Sequence, residues 1–140
     1  MRAAYALGCA LLALTPSLGM ARSAAVGDSL AQGFGWASHF EVYATRSKSS
    51  CWIAEHLPSG HFDFMLISAG TNDPPGNCIE QIRTQVQADV VEWVVPVAPS
   101  ARAHVISVAH THGDRLFFYT PSRRKAVWPH PDFYRRVKLP

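Results

Sequence analysis

The chain is short of charge. Lysine, arginine, aspartate and glutamate make up 16% of its 140 residues, against 48% hydrophobic residues. That balance predicts one domain with an ordinary core. There is no long low-complexity stretch, and past the N-terminal region no segment approaches the roughly 18 apolar residues of a membrane-crossing helix. A net charge of +3 is mild, and nothing resembles a nucleic-acid-binding module. Metal-ligand spacing is missing as well. His110 and His112 lie two apart with no third ligand, so they read as a solvated turn and no metal is expected.

What is present begins with a leader. Arg2 precedes an apolar run from Ala3 to Leu14, followed by Pro16 and the small-residue stretch Gly19-Met20-Ala21. This is the layout of a secretory signal peptide. Residues 1–21 are therefore expected to be cleaved, leaving 22–140 as one exported domain, periplasmic or secreted, with no transmembrane helix. An uncleaved anchor or a mis-assigned start is the competing reading. Cleavage removes Arg2 and no acidic residue, so +3 becomes +2. The basic residues that remain cluster late, at Arg123, Arg124, Lys125, Arg135, Arg136 and Lys138. They read as a solvated face, with steering of an anionic lipid or glycan as the functional alternative.

Cys9 leaves with the leader, so Cys51 and Cys78 remain. Export permits a disulfide between them, closing a loop of about 27 residues and contributing about 3 kcal/mol. Two separately buried thiols are the alternative, since spacing supplies no Cβ geometry.

Strand and helix patterns alternate. Ala24–Val26, Phe40–Ala44, Phe62–Ser68, Val90–Val97 and Leu116–Tyr119 read as strands; Phe62–Ser68 is apolar enough to be central and covered on both faces. Helices are expected from Ser29, over Cys51–Leu57, after Asn77 as cap, from Ser100 as cap to Gly113, and over Pro131–Val137, with Pro74-Pro75-Gly76 as a rigid loop. Such alternation predicts an α/β protein: a three-layer α/β/α sandwich on a five-stranded parallel sheet in the flavodoxin-like order 2-1-3-4-5. Its ligand crevice lies beyond the carboxyl ends of strands one and three.

Those two ends carry the motifs. Gly27-Asp28-Ser29-Leu30 follows the first strand, and Gly70-Thr71-Asn72-Asp73 follows the third; Trp128-Pro129-His130-Pro131 stands near the C-terminus. Asp28 reads as an acceptor for turn N–H groups that shapes the elbow, and Asp73 as structural. Trp36, Trp52, Trp128 and Phe34 fall in or near the site loops, as an apolar or sugar-stacking wall or as core.

Together the three motifs resemble the GDSL or SGNH hydrolase family over residues 24 to about 137. The resemblance implies an exported esterase with no cofactor. Ser29 is then the nucleophile and His130 its base, with the oxyanion held by the Ser29 N–H, the Asn72 amide and the N–H aligned at Ser47, and with Asp28, Gly70 and Asp73 in support. A small acyl ester on a sugar or lysolipid is the expected partner, and a monomer the expected state.

Two departures qualify the resemblance. The family's strand-two turn usually holds a glycine, but Arg46-Ser47-Lys48-Ser49-Ser50 has none, so a positive φ at Ser47 would be strained. The family also usually places aspartate three residues before the histidine, where this chain has Val127. A backbone carbonyl near residues 126–128, or Asp132 reaching back, is expected to orient His130 instead. The competing reading is a weak or inactive module that binds an envelope glycan or acylated ligand.

Overall fold

The structure, a computed structural model, describes residues 19–73 and 77–140. Residues 1–18 of the expected leader, Cys9 among them, and the loop expected at 74–76 lie outside the described residues.

Five strands, β1 (Ser23–Gly27), β2 (Glu41–Ala44), β3 (Phe62–Ser68), β4 (Ala88–Val94) and β5 (Arg115–Phe117), form one sheet in the order β2-β1-β3-β4-β5, every neighbour parallel. The helices are α1 (Ser29–Ser38), α2 (Ser50–Glu55), α3 (Ile79–Gln85) and α4 (Pro99–His112). The fold is thus α/β with an all-parallel sheet covered on both faces, and the expected strand order holds. No described helix is long and apolar enough to cross a membrane.

Each face has its own core, because successive strand residues point to opposite sides. On one side, Val26, Met65, Ile67 and Trp93 pack against Ile53 of α2, Ile79 and Ile82 of α3, and Val105 of α4. On the other, Ala25, Phe64, Leu66 and Val94 pack against Leu30 and Phe34 of α1 together with Val137. Three helices therefore cover one face, while α1 and the C-terminal segment cover the other.

Four local expectations are corrected. β4 stops at Val94, short of Val97; Val95 still donates from its backbone N to the Phe117 carbonyl at 3.0 Å, but Pro96 has no N–H to continue the ladder. β5 likewise stops at Phe117. α4 begins at Pro99 rather than after a Ser100 cap, since the missing N–H of Pro99 is harmless in a first turn. Finally, no helix forms over Pro131–Val137. Seven residues gain little from helix formation alone, and here the chain is drawn out by bonds to other elements. The Val137 N–H donates to Ser38 Oγ at 2.9 Å, and Arg135 Nη2 donates to the Phe118 carbonyl at 2.9 Å.

Opposite that segment, Cys51 and Cys78 are joined by a disulfide. Buried Ser50 adds two further ties: its N–H and hydroxyl donate to the Asp73 carboxylate at 2.6 and 2.7 Å, while its Oγ accepts from the Cys78 N–H at 2.9 Å. The loop after β3 is thereby fastened to the start of α2 through Asp73.

Candidate active site

The turn from β1 into α1 is built around a glycine. Gly27 has φ +132°, and a Cβ there would lie 1.8 Å from the Ser68 carbonyl oxygen, so only glycine lets β1 and β3 approach this closely. Asp28 follows as the N-cap: its Oδ1 accepts from the Leu30 N–H at 3.0 Å and from the Ser68 hydroxyl at 2.7 Å. Ser29 is thereby the first residue of α1. Its N–H has no intrahelical partner, and the positive end of the helix dipole lies there.

Asp28 is fully buried, and its Oδ2 has no partner among the described residues. Burial pushes its carboxyl up to about 6, with the bonds from Ser68 and Leu30 opposing.

His130 reaches the same place from a different kind of structure. Its Nε2 lies 3.2 Å from Ser29 Oγ, across 101 residues of sequence. The segment that carries it has no regular structure but is pinned at several points. The His130 N–H donates to the Val127 carbonyl at 2.9 Å, the Ser122 N–H to the His130 carbonyl at 2.8 Å, and the Tyr119 hydroxyl to the Pro129 carbonyl at 2.9 Å.

Neither partner expected for the imidazole is used. The Val127 carbonyl takes the backbone N–H of His130 rather than its ring. Asp132 is occupied elsewhere, accepting from the Ser122 hydroxyl and from Arg124, and these bonds hold its carboxyl below the usual range. The ring Nδ1 instead bonds the Tyr134 hydroxyl. Tyr134 lies over α1 at Gly33, where a Cβ would meet its ring at 2.2 Å, and its ring packs edge-on against Phe34. Burial pushes its hydroxyl up to about 12, so it is a neutral phenol at ordinary pH. Tyr134 is not among the residues expected at the site. The one signal available was its position four residues after His130, and a search for a carboxylate passes over it.

His130 itself is pushed below its ordinary 6.5, first by burial and then by the nearby Arg46 guanidinium. It is therefore neutral, and able to accept a proton, at a lower pH than a free imidazole.

Two lobes of one cleft meet at this pair. The smaller, of about 430 Å³, is lined by Thr71, Asn72, Val97, Ala98 and Trp128 together with Ser29, Ser47 and His130. Asn72 Nδ2 donates to the Lys48 carbonyl at 3.3 Å, which orients the amide and uses one of its two hydrogens. Ser47 has φ +60°, in the left-handed region that favours glycine, and its N–H bonds no other described residue. The larger lobe, of about 680 Å³, runs along α1 past Gln32, Gly33 and Trp36 and is bounded by Arg46 and Arg124.

Of the remaining residues considered, Gly70 accepts the Asp73 N–H at 3.2 Å within the turn, Phe34 is core, and Trp52 stacks on His56 outside the cleft. Trp36 and Trp128 are exposed in the two lobes. His112 pairs with Glu80 at 2.7 Å, and no cluster of metal-ligating residues occurs among the described residues. Against models of protein families, curated proteins and solved structures, the chain gives no match.

Proposed function

We propose that the protein is an exported serine hydrolase of the SGNH type, cleaving a small acyl ester through an acyl-enzyme on Ser29. The observation that carries this reading is the 3.2 Å approach of His130 Nε2 to Ser29 Oγ at the carboxyl ends of β1 and β3. A hydroxyl is a poor nucleophile until a base takes its proton, and this separation is within reach of such a transfer.

In the proposed cycle, Ser29 Oγ attacks the acyl carbon while its proton passes to His130 Nε2. The carbonyl oxygen becomes negative against the N–H groups of Ser29 and Ser47 and the second amide hydrogen of Asn72. His130 then gives its proton to the leaving alkoxide, which departs as an alcohol. Water attacks the acyl-enzyme with His130 again as base, releasing the acid and restoring Ser29. The first step needs Nε2 unprotonated, so Nδ1 carries the hydrogen and donates it to Tyr134 Oη. Tyr134 is thus a positioning residue in the place that a carboxylate takes in the triad template. No cofactor is required by these steps.

A neutral phenol stabilises an imidazolium less than a carboxylate does, and this favours slow turnover or, as a second reading, a binding module on the same fold. One experiment separates them. Turnover of p-nitrophenyl acetate and labelling by a fluorophosphonate probe are measured for the protein and for Ser29→Ala. The hydrolase reading expects both to be lost in the variant. Equal background rates and no labelling of Ser29 would leave only the binding module.

A further inference from the structure

The larger lobe has a wall of defined length and a charge with no counterpart. Ser29, Gln32, Gly33 and Trp36 recur at i, i+3, i+4 and i+7 of α1, so they share one face of the helix. That face starts at the reacting hydroxyl and ends about 10 Å away at Trp36, by the helical rise of about 1.5 Å per residue. Trp36 is 60% exposed although it belongs to a helix whose other large apolar residues, Leu30 and Phe34, are buried. An indole left open at the end of a cleft is a stacking surface for a flat ring.

Two arginines of different status line the same lobe. Arg124 is committed to Asp132, with Nε and Nη2 at 3.0 and 2.9 Å from the same carboxylate oxygen. Arg46 has no carboxylate within ion-pair distance among the described residues. Its Nε donates to Gln32 Oε1 at 3.4 Å, and Gln32 Nε2 in turn reaches the Ala44 carbonyl at 3.5 Å. The guanidinium is therefore steadied from its stem, and neither terminal amino group bonds another described residue. A fork of this kind matches one planar carboxylate bidentately. A phosphate or sulfate dianion would call for a second uncommitted cation, and Arg124 is already neutralised.

We propose that the larger lobe binds a carboxylate-bearing ring, such as a uronic-acid sugar or an aromatic acid, with the carboxylate on Arg46 and the ring against Trp36. The inference rests on the hydrolase reading only for the ester that joins this ring to the acyl group at Ser29. It names the class of substrate: acyl esters of ring compounds carrying one carboxylate.

The test uses 4-acetoxybenzoate and its neutral counterpart methyl 4-acetoxybenzoate. Binding to the Ser29→Ala protein is followed by amide chemical-shift titration, which needs no turnover. The acid is expected to bind about tenfold more tightly than the methyl ester, and Arg46→Gln to abolish that preference. Arg102→Gln, which removes an equal charge from α4 outside the cleft, should retain it. Equal affinities for the two compounds, a preference that survives Arg46→Gln, or one lost equally in Arg102→Gln overturns the carboxylate site. Hydrolysis of both compounds by the unaltered protein is measured separately. A carboxylate preference in binding without Ser29-dependent turnover keeps the site and removes the hydrolase, whereas turnover without the preference does the reverse.

Discussion

Ser29 and His130 sit 3.2 Å apart, yet the two are supported in opposite ways. Ser29 stands on an elbow between a buried central strand and a helix, with a glycine no other residue can replace and a fully buried N-cap beneath it. His130 stands on a segment without helix or strand, held by separate hydrogen bonds and by contacts of Tyr134 and Val137 with the α1 face. Ser29 is therefore part of the folding unit. His130 is attached to it. Changes at the elbow should act on the stability of the whole molecule, and changes in the segment on the chemistry.

The largest effect should come from Gly27→Ala. A Cβ 1.8 Å from the Ser68 carbonyl, at φ +132°, has nowhere to go without separating β1 from β3. These are central strands, so the expected loss exceeds about 4 kcal/mol, read as failure to fold or a collapse of the urea midpoint. Normal stability with altered activity would show that the elbow is not part of the folding unit.

Next is Asp28. Its carboxyl is raised from 3.8 to about 6 in the folded state, so the folded protein favours the protonated form more than the unfolded chain does. The sign follows: this group's contribution is fully present below pH 3.8 and is lost as pH rises through about 6. A rise of that size corresponds to about 3 kcal/mol. Urea unfolding at about pH 5 and about pH 7.5, on either side of the folded-state value, should show Asp28 lowering stability at the higher pH, and Asp28→Asn should remove most of that difference. An unchanged pH dependence in the variant would mean that the buried carboxylate has a partner in solution.

Tyr134→Phe turns to the other region. It deletes only the hydroxyl that bonds His130 Nδ1 and leaves the ring over Gly33 and against Phe34. If the hydroxyl fixes the tautomer, kcat/KM for p-nitrophenyl acetate falls about 10- to 50-fold, well short of the roughly 10⁴-fold that follows loss of a triad carboxylate, while the urea midpoint barely moves. The acid limb of the pH profile should lie below 6.5 in both proteins, because the burial of His130 and the charge of Arg46 that lower it are retained. A ¹⁵N spectrum of His130 should show the hydrogen on Nδ1 in the parent and a mixture in the variant. Identical spectra and rates would reduce Tyr134 to packing.

The same division governs how much was legible in the sequence. The strands, the helices and the tetrapeptide after β1 are local signals, with β3 legible to the residue at Phe62–Ser68, and the sheet order follows once right-handed crossovers join those elements. Ser47 has φ +60° in a turn, Arg46-Ser47-Lys48-Ser49-Ser50, that contains no glycine to take the left-handed region. The segment after β5 carries no period. Its conformation comes from Val137, Arg135 and Tyr134 each finding a partner on α1 or after β5, which no local pattern announces. Tyr134 goes unread for the same cause: a phenol that bonds an imidazole shows itself only once that ring has been placed.

The smallest effect tests how firmly that segment is attached. Ser38 is the last residue of α1, and its hydroxyl accepts the Val137 N–H at 2.9 Å, next to a side chain that is 5% exposed. Ser38→Ala leaves this donor without its acceptor at a half-buried position, at a cost of about 1 kcal/mol. Because the bond ties the end of the chain to the helix that begins with Ser29, its loss should loosen the segment without opening the sheet. Hydrogen exchange should therefore quicken at residues 130–137 and stay unchanged in β1 and β3, with turnover falling no more than about twofold because Tyr134 and Tyr119 still hold the histidine loop. Faster exchange spreading into β1 would mean that the segment carrying His130 belongs to the folding unit after all, and that Ser29 and His130 share one support.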